Sequence, residues 1–377
     1  MSSWYCALPF KHVFVDSTGL SPCCNTVGQF GLDVSIDEYK SHPKLLELQK
    51  QFLDGRTPAA CSVCLHQEKI QNKSMRIDSN IDYNHRVFDS TEFDFIHLSQ
   101  SNLCNFKCRS CSPRYSHGIV QEHKKYPELF ADAPQQKFVE VNPDNYKWII
   151  KNLSSIKRLL ITGGEPTVMP EIRHLFEFLL QTPRPQPQPY IMMTTNCSWT
   201  DNFWYQAIDG MSNLHITASV DAVGDAAQLI RHGTVWNQVE RNVKWLAQHA
   251  SSFDINTVIS NLNINHLYDL LQFCRQEQIA SKVENGGKQG DLGLRHQFTI
   301  ANGVNEITCF PDDLKTKTLK HLDQCLALDL DPDQLKLIKG LIVTVQNSTY
   351  NHQKWQSIVE YQTKLDQIRG ENHLKLL

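Results

Sequence analysis

Phe93-Asp-Phe-Ile-His-Leu98, an alternating apolar run, leads shortly into Cys104-Asn-Phe-Lys-Cys108-Arg-Ser-Cys111. The alternation predicts a β-strand and places the three cysteines on a loop at its end. Three thiols spaced C-x3-C-x2-C point to iron–sulfur chemistry. Four thiolates ordinarily hold a [4Fe-4S] cluster, so three with no fourth nearby leave one iron open to a small-molecule ligand.

Outward from this loop, the pattern from residue 91 alternates apolar strands with amphipathic helices, as repeated βα units around a parallel sheet do. Strands are expected at 93–98, 158–162, 190–195, 215–220 and 254–259, with a sixth near 297–300. Helices are expected at 146–153, 172–180, 202–208, 235–248 and 267–276. Before them, 12–15 and 20–23 read as a hairpin around Asp16-Ser-Thr-Gly19, followed by a helix over 36–52 and the pair Cys61-Ser-Val-Cys64. The fold class is α/β: a partial (β/α)6 TIM-like barrel over 91–305, preceded by a small α+β cluster-binding domain over 1–90. A C-terminal helical extension covers 306–377. The proline-rich run 183–189 reads as a surface loop, and Gly286-Gly-Lys-Gln-Gly290 matches no phosphate-loop spacing.

With 37 basic against 40 acidic residues and a formal charge of −3, the chain has no electrostatic footprint for nucleic acid or an anionic membrane. No apolar run is long enough to cross a bilayer, and the N-terminus lacks the basic and apolar regions of a secretory leader. A cytoplasmic location is expected. Eight of the twelve cysteines fall before residue 112 in short groups, which suits thiolate ligation in a reducing compartment rather than a disulfide scaffold.

The loop after the first strand, together with Thr162-Gly-Gly-Glu-Pro166 at the end of the second, resembles the radical S-adenosylmethionine (radical SAM) superfamily over residues 91–300. The resemblance implies that Cys104, Cys108 and Cys111 hold a [4Fe-4S] cluster whose open iron takes S-adenosyl-L-methionine. It implies that Gly163, Gly164, Glu165 and Pro166 receive the methionine amino group. Physically, two glycines let backbone approach a ligand closely, Glu165 accepts from an ammonium, and Pro166 stiffens the exit. Asn196, Ser219 and Arg231, at or just beyond later strand ends, take by resemblance the ribose and carboxylate, with Ile259 and Asn261 near the adenine. One departure is Ser110, where relatives carry an aromatic residue before the third cysteine; Phe106 is the candidate replacement. Structural zinc is the competing reading of the loop, with His97 or His117 as a fourth donor.

Cys6, Cys23, Cys61 and Cys64 resemble the twitch unit, the shortened SPASM auxiliary-cluster domain, although here the unit precedes the barrel. The resemblance implies a second [4Fe-4S] cluster, with zinc the alternative. Pleat alternation sends Cys23 and Cys24 to opposite faces, and Cys23 is the preferred ligand. Cys197, Cys274, Cys309 and Cys325 are isolated and read as packing residues.

The implied function is reductive cleavage of S-adenosylmethionine and hydrogen abstraction from a peptide or amino acid side chain, in the manner of a maturase. The alternatives are a modifier of a small hydroxylated or sugar substrate and a non-catalytic iron–sulfur or zinc scaffold. The implied partners are the substrate and an electron donor such as flavodoxin or ferredoxin. The sequence identifies no catalytic acid or base; Arg114, Tyr115 and His117 near the rim read equally well as loop residues.

Overall fold

A computed structural model describes residues 4–26, 30–71, 74–130, 141–181, 188–279, 296–300 and 305–377, among which short, largely apolar runs bounded by turn residues form the main strands. Residues 183–187 and 286–290 lie outside them. The strands are β1 (His12–Asp16), β2 (Gly19–Ser21), β3 (Phe95–Ser99), β4 (Lys107–Cys108), β5 (Arg158–Thr162), β6 (Tyr190–Thr195), β7 (Leu214–Ser219), β8 (Arg231–His232), β9 (Ser252–Ile259) and β10 (His296–Ile300). The helices are α1 (Leu8–Lys11), α2 (Ile36–Lys40), α3 (Pro43–Leu53), α4 (Ser62–Gln71), α5 (Met75–Asp82), α6 (His117–Lys125), α7 (Pro143–Lys151), α8 (Pro170–Gln181), α9 (Asn202–Asp209), α10 (Gly224–Ile230), α11 (Trp236–His249), α12 (Leu267–Gln276), α13 (Asp312–Cys325), α14 (Pro332–Gln346) and α15 (His352–Arg369). No helix among the described residues is long and apolar enough to cross a membrane.

The chain packs as two compact units, one of Met1–Asn102 with Gln135–Met192 and the other of Leu103–Pro134 with Met193–Leu377. In the first unit the strands run in the order β2-β1-β3-β5-β6. β1 pairs parallel with β3, and β3 parallel with β5, so that Asp16, Ser99 and Thr162 stand level at the strand ends. Every residue of β1 is buried, as suits a strand covered on both faces. β5 buries Leu159 and Ile161 at alternate positions, each contributing about 1.5–3 kcal/mol of hydrophobic stabilisation.

β1 is thus a parallel neighbour of β3, although the sequence suggested only a separate hairpin. Periodicity identifies a strand but not its partner. The hairpin turn is tighter than expected: Asp16 pairs with Gly19, and Asp16 Oδ1 accepts from the Thr18 amide at 2.9 Å. Gly19 takes φ +111°, and a Cβ there would stand 2.6 Å from the Leu32 carbonyl. The expected single helix over 36–52 divides into α2 and α3, because His42 is extended and Pro43 carries no N–H to continue the ladder.

In the second unit the order is β7-β9-β10, with β7–β9 and β9–β10 parallel. α11 buries Val239, Asn242, Val243 and Leu246, the one-sided spacing of an amphipathic helix. The C-terminal helices share a core with α12: Leu267 and Leu271 pack in one cluster with Leu314, Leu322, Ile338 and Leu341.

Candidate metal and cofactor site

The loop carrying Cys104, Cys108 and Cys111 is fixed by hydrogen bonds at each cysteine. Cys104 N donates to His117 Nδ1 at 3.3 Å, and Phe106 N donates to Cys104 Sγ at 3.4 Å. Cys108 lies in β4, which pairs antiparallel with β8 so that Cys108 faces Arg231. Cys111 N closes a turn on Cys108 O at 3.0 Å. Phe106 is buried, its carbonyl receives Ser116 Oγ at 2.8 Å, and Ser116 also caps α6. Gly233, at φ +104°, lets β8 approach: a Cβ there would stand 2.9 Å from Asn105 O.

The three sulfurs influence one another. Burial, then the neighbouring Cys108 and Cys104, pushes the Cys111 thiol up to about 12. Burial also raises Cys108, against the opposing pull of the Arg231 guanidinium. Metal ligation needs the thiolate form, so binding a metal here would release the Cys108 and Cys111 protons.

Arg231 reaches Asp221 Oδ2 with Nη1 at 2.9 Å, while Asp221, almost fully buried, accepts Val258 N on its other oxygen. The Arg231 Nε is buried with no hydrogen-bond partner among the described residues. An orphaned cationic donor beside three thiols suits an incoming carboxylate. Asn196 Nδ2 donates to Asn105 Oδ1 at 2.9 Å, and Asn105 Nδ2 donates to Ser198 Oγ at 2.8 Å. The second unit therefore ties Asn196 and Arg231 to the cysteine loop. Ser219 ends β7 in register with Asn256, and Asn261 is buried just beyond β9.

Thr162-Gly-Gly-Glu-Pro166 lies in the first unit. Gly163 takes φ +120°, where a Cβ would meet Ser101 O at 2.8 Å, and Gly164 N donates to that oxygen at 3.0 Å. The close approach that demands glycine at Gly163 is thus to the chain's own backbone. Glu165 is buried and caps the short turn Pro166–Val168, its Oε1 accepting from Thr167 N at 3.1 Å. His97 bonds Thr162 Oγ1 at 2.7 Å, and His117 accepts from Cys104 N. Among the described residues, no three His, Cys, Asp or Glu side chains are grouped as ligands of one metal ion.

Cys6, Cys23, Cys61 and Cys64 all line one cavity in the first unit, walled by Leu8, Leu48, Phe52 and Met75. Burial, with Cys61 and Cys64 adding, pushes Cys6 up to about 12. Asn25 Nδ2 stands 3.6 Å from Cys64 Sγ, and Arg76, held by Glu68, borders the cavity. Cys24 is not among the lining residues. The expected strand through 23 stops at Ser21, since Pro22 offers no donor; a 3-10 turn, Cys24–Thr26, then sets where Cys23 points. Pleat alternation is therefore not what separates Cys23 from Cys24.

Sequence reasoning missed Asn105, Asp221 as the partner of Arg231, and the entire set of C-terminal groups around Arg109. Asp221 had a signal, standing beyond β7 ten residues before Arg231; the others carried none in local pattern.

Residues 98–274 match the family model described as the Radical SAM superfamily. The chain is 26% identical over 212 residues to a GTP 3′,8-cyclase of Campylobacter curvus (strain 525.92), covering 54% of this chain and 60% of that protein. It is 24% identical over 222 residues to a GTP 3′,8-cyclase of Sulfurovum sp. (strain NBC37-1), covering 56% and 62%. The chain thus spans about three fifths of the length of these curated relatives. Among solved structures, native anSMEcpe with bound AdoMet matches at 16% identity and a TM-score of 0.42, covering 60% of this chain and 58% of that one. Streptococcus suis SuiB bound to its precursor peptide SuiA matches at 12% identity and a TM-score of 0.40, covering 78% and 61%.

Proposed function

We propose, from the match of residues 98–274 to the Radical SAM superfamily model, that the protein is a radical SAM enzyme that abstracts a hydrogen atom from a bound substrate. The observation that carries the reading is the three-cysteine loop with the unpartnered Arg231 Nε held beside it. When bound, a [4Fe-4S] cluster and S-adenosylmethionine supply the reductive cleavage that yields methionine and a 5′-deoxyadenosyl radical. Cys104, Cys108 and Cys111 would hold the cluster, supplying three thiolates and no fourth. Arg231 Nε offers a charged donor to the cofactor carboxylate, and Asp221 fixes its aim. Glu165 presents a carboxylate to the ammonium, while Asn196 and Ser219 supply polar groups for the ribose. Phe106, buried in the loop, stands in for the aromatic that Ser110 lacks.

Residues 1–90, 91–305 and 306–377 are proposed as an auxiliary-cluster segment, the barrel and a helical extension. Cys6, Cys23, Cys61 and Cys64 hold a second [4Fe-4S] cluster in this reading, supported by their shared cavity; structural zinc is the alternative that metal analysis decides. The reading places the protein in the cytoplasm and gives it a flavodoxin- or ferredoxin-type electron donor.

The proposed substrate is a peptide or amino acid side chain. A small hydroxylated substrate such as a nucleotide is the second reading, favoured by the names of the curated relatives. Anaerobic reconstitution with iron and sulfide, followed by dithionite and S-adenosylmethionine, should release 5′-deoxyadenosine. A full cluster that releases none would overturn the enzyme in favour of a scaffold. Stimulation of release by peptides, and not by GTP, separates the two substrate readings.

A further inference from the structure

Arg109 sits between two of the loop cysteines, and its side chain is fully buried. A guanidinium has five N–H donors, and five acceptors meet this one. Nε donates to Leu229 O at 3.1 Å, and Nη1 to both Gln362 O at 3.3 Å and Gln362 Oε1 at 2.9 Å. Nη2 donates to Asp366 Oδ1 and to Glu371 Oε2, the latter at 2.6 Å. Gln362 and Asp366 are on α15, and Glu371 follows its left-handed cap at Gly370. Glu371 also binds His232 Nδ1 at 2.5 Å, in the strand that pairs with Cys108. A second node runs in parallel: Lys107 bonds Glu122 Oε1 at 2.7 Å, and Arg369 bonds both oxygens of Glu122 at 3.1 and 2.7 Å.

The loop is therefore gripped directly after Cys108, at Arg109, by α15 and the turn beyond it, and before Cys108, at Lys107, by Glu122 of α6, which Arg369 of α15 holds in turn. We propose that α15 and the turn after it form a clamp that sets the positions of the three loop sulfurs, with Arg109 as its positioning residue. This rests on the reading of the loop as a cluster site. A buried guanidinium with every donor satisfied has one low-energy placement, so it fixes the backbone between Cys108 and Cys111. A loop that supplies only three ligands has no fourth thiolate to correct its geometry.

The test uses the full chain carrying Asp366→Asn and Glu371→Gln together, which keep shape and remove the charges. The control is Lys354→Gln, which severs the α15 ion pair with Glu306. In metal-free protein, amide hydrogen exchange over residues 104–112 should rise at least tenfold in the double variant and stay unchanged in the control. After reconstitution, iron should be lost to a chelator about tenfold faster, and the electron paramagnetic resonance change on adding S-adenosylmethionine should differ from wild type. Wild-type exchange, iron retention and spectrum in the double variant would overturn the clamp. If that variant fails to fold by circular dichroism, Arg109→Lys takes its place: it keeps the charge but not the fork, and exchange as slow as in wild type would overturn the clamp equally. A wild-type chain that takes up no iron would sink the cluster reading, while the exchange measurement would still judge the clamp.

Discussion

The four cysteines of the N-terminal segment share a cavity with Leu8, Leu48, Phe52 and Met75, whereas the three of the loop stand among Arg109, Arg231, Asp221 and Lys107. Beside the loop, an open cavity of about 460 Å³ is bordered by Cys104, Lys107, His117 and Tyr126. The first group brings four thiols to a mainly apolar cavity that Asn25, Thr26 and Arg76 also border. The second is one ligand short and has beside it the Arg231 guanidinium, whose Nε is open to an anionic group. A complete thiolate set with apolar walls suits electron storage or structure, and an incomplete set with charged walls suits chemistry on a bound molecule.

The largest effect that sharpens this contrast comes from Cys108→Ala. Release of 5′-deoxyadenosine should fall to background while the N-terminal group keeps its metal, as read by iron counting; loss of metal from both would break the contrast. Asp221→Asn leaves the Arg231 charge without its buried partner and should cost about 3–5 kcal/mol in denaturant unfolding. Glu165→Gln removes a charged acceptor worth about 1.5–3 kcal/mol, so calorimetry should show S-adenosylmethionine binding weakened by about 10–100-fold. An unchanged affinity would leave Glu165 as a turn cap alone.

Acid should loosen the ionic surroundings of the loop before it disturbs the apolar cavity. Burial pushes the Asp366 carboxyl up, but the His373 amide and ring and the Arg109 guanidinium outweigh it and hold it below its ordinary value. Glu371 is likewise held down by His232 and Arg109 against burial. Carboxyls depressed on folding stabilise the chain above the unfolded value of about 4 and lose that contribution as pH falls through the lower folded value. The unfolding midpoint should therefore drop steeply below about pH 4, less so in Asp366→Asn. The smallest effect belongs to Cys24→Ser, which should leave iron content unchanged because Cys24 does not line the cavity; a lost cluster would reverse the choice of Cys23.

Much of the sheet was legible. Tyr190–Thr195 and Leu267–Gln276 have the bounds their periodicity indicates, since each is a regular run ended by polar or turn residues. The 36–52 helix was misread because its apolar spacing survives the break at Pro43. Of the candidate site residues named from the sequence, Arg231 and Asn196 stand against the cysteine loop, while the contacts that hold them there carried no local signal. Asn105 with Asn196, and Arg109 with Asp366, meet across 91 and 257 positions, and no local pattern encodes such a meeting. His12 paired with Phe95 is hidden for the same reason.

The distance along the chain between Arg109 and its carboxylates has a consequence for biosynthesis. A ribosome adding roughly 5–20 residues per second makes Arg109 tens of seconds before it makes Asp366. Throughout that interval the nascent loop carries a guanidinium whose acidic counterparts do not yet exist, so those contacts form only after α15 has been made. If the loop takes its shape from those contacts, it becomes ready for iron later in synthesis than Cys6 to Cys64 do.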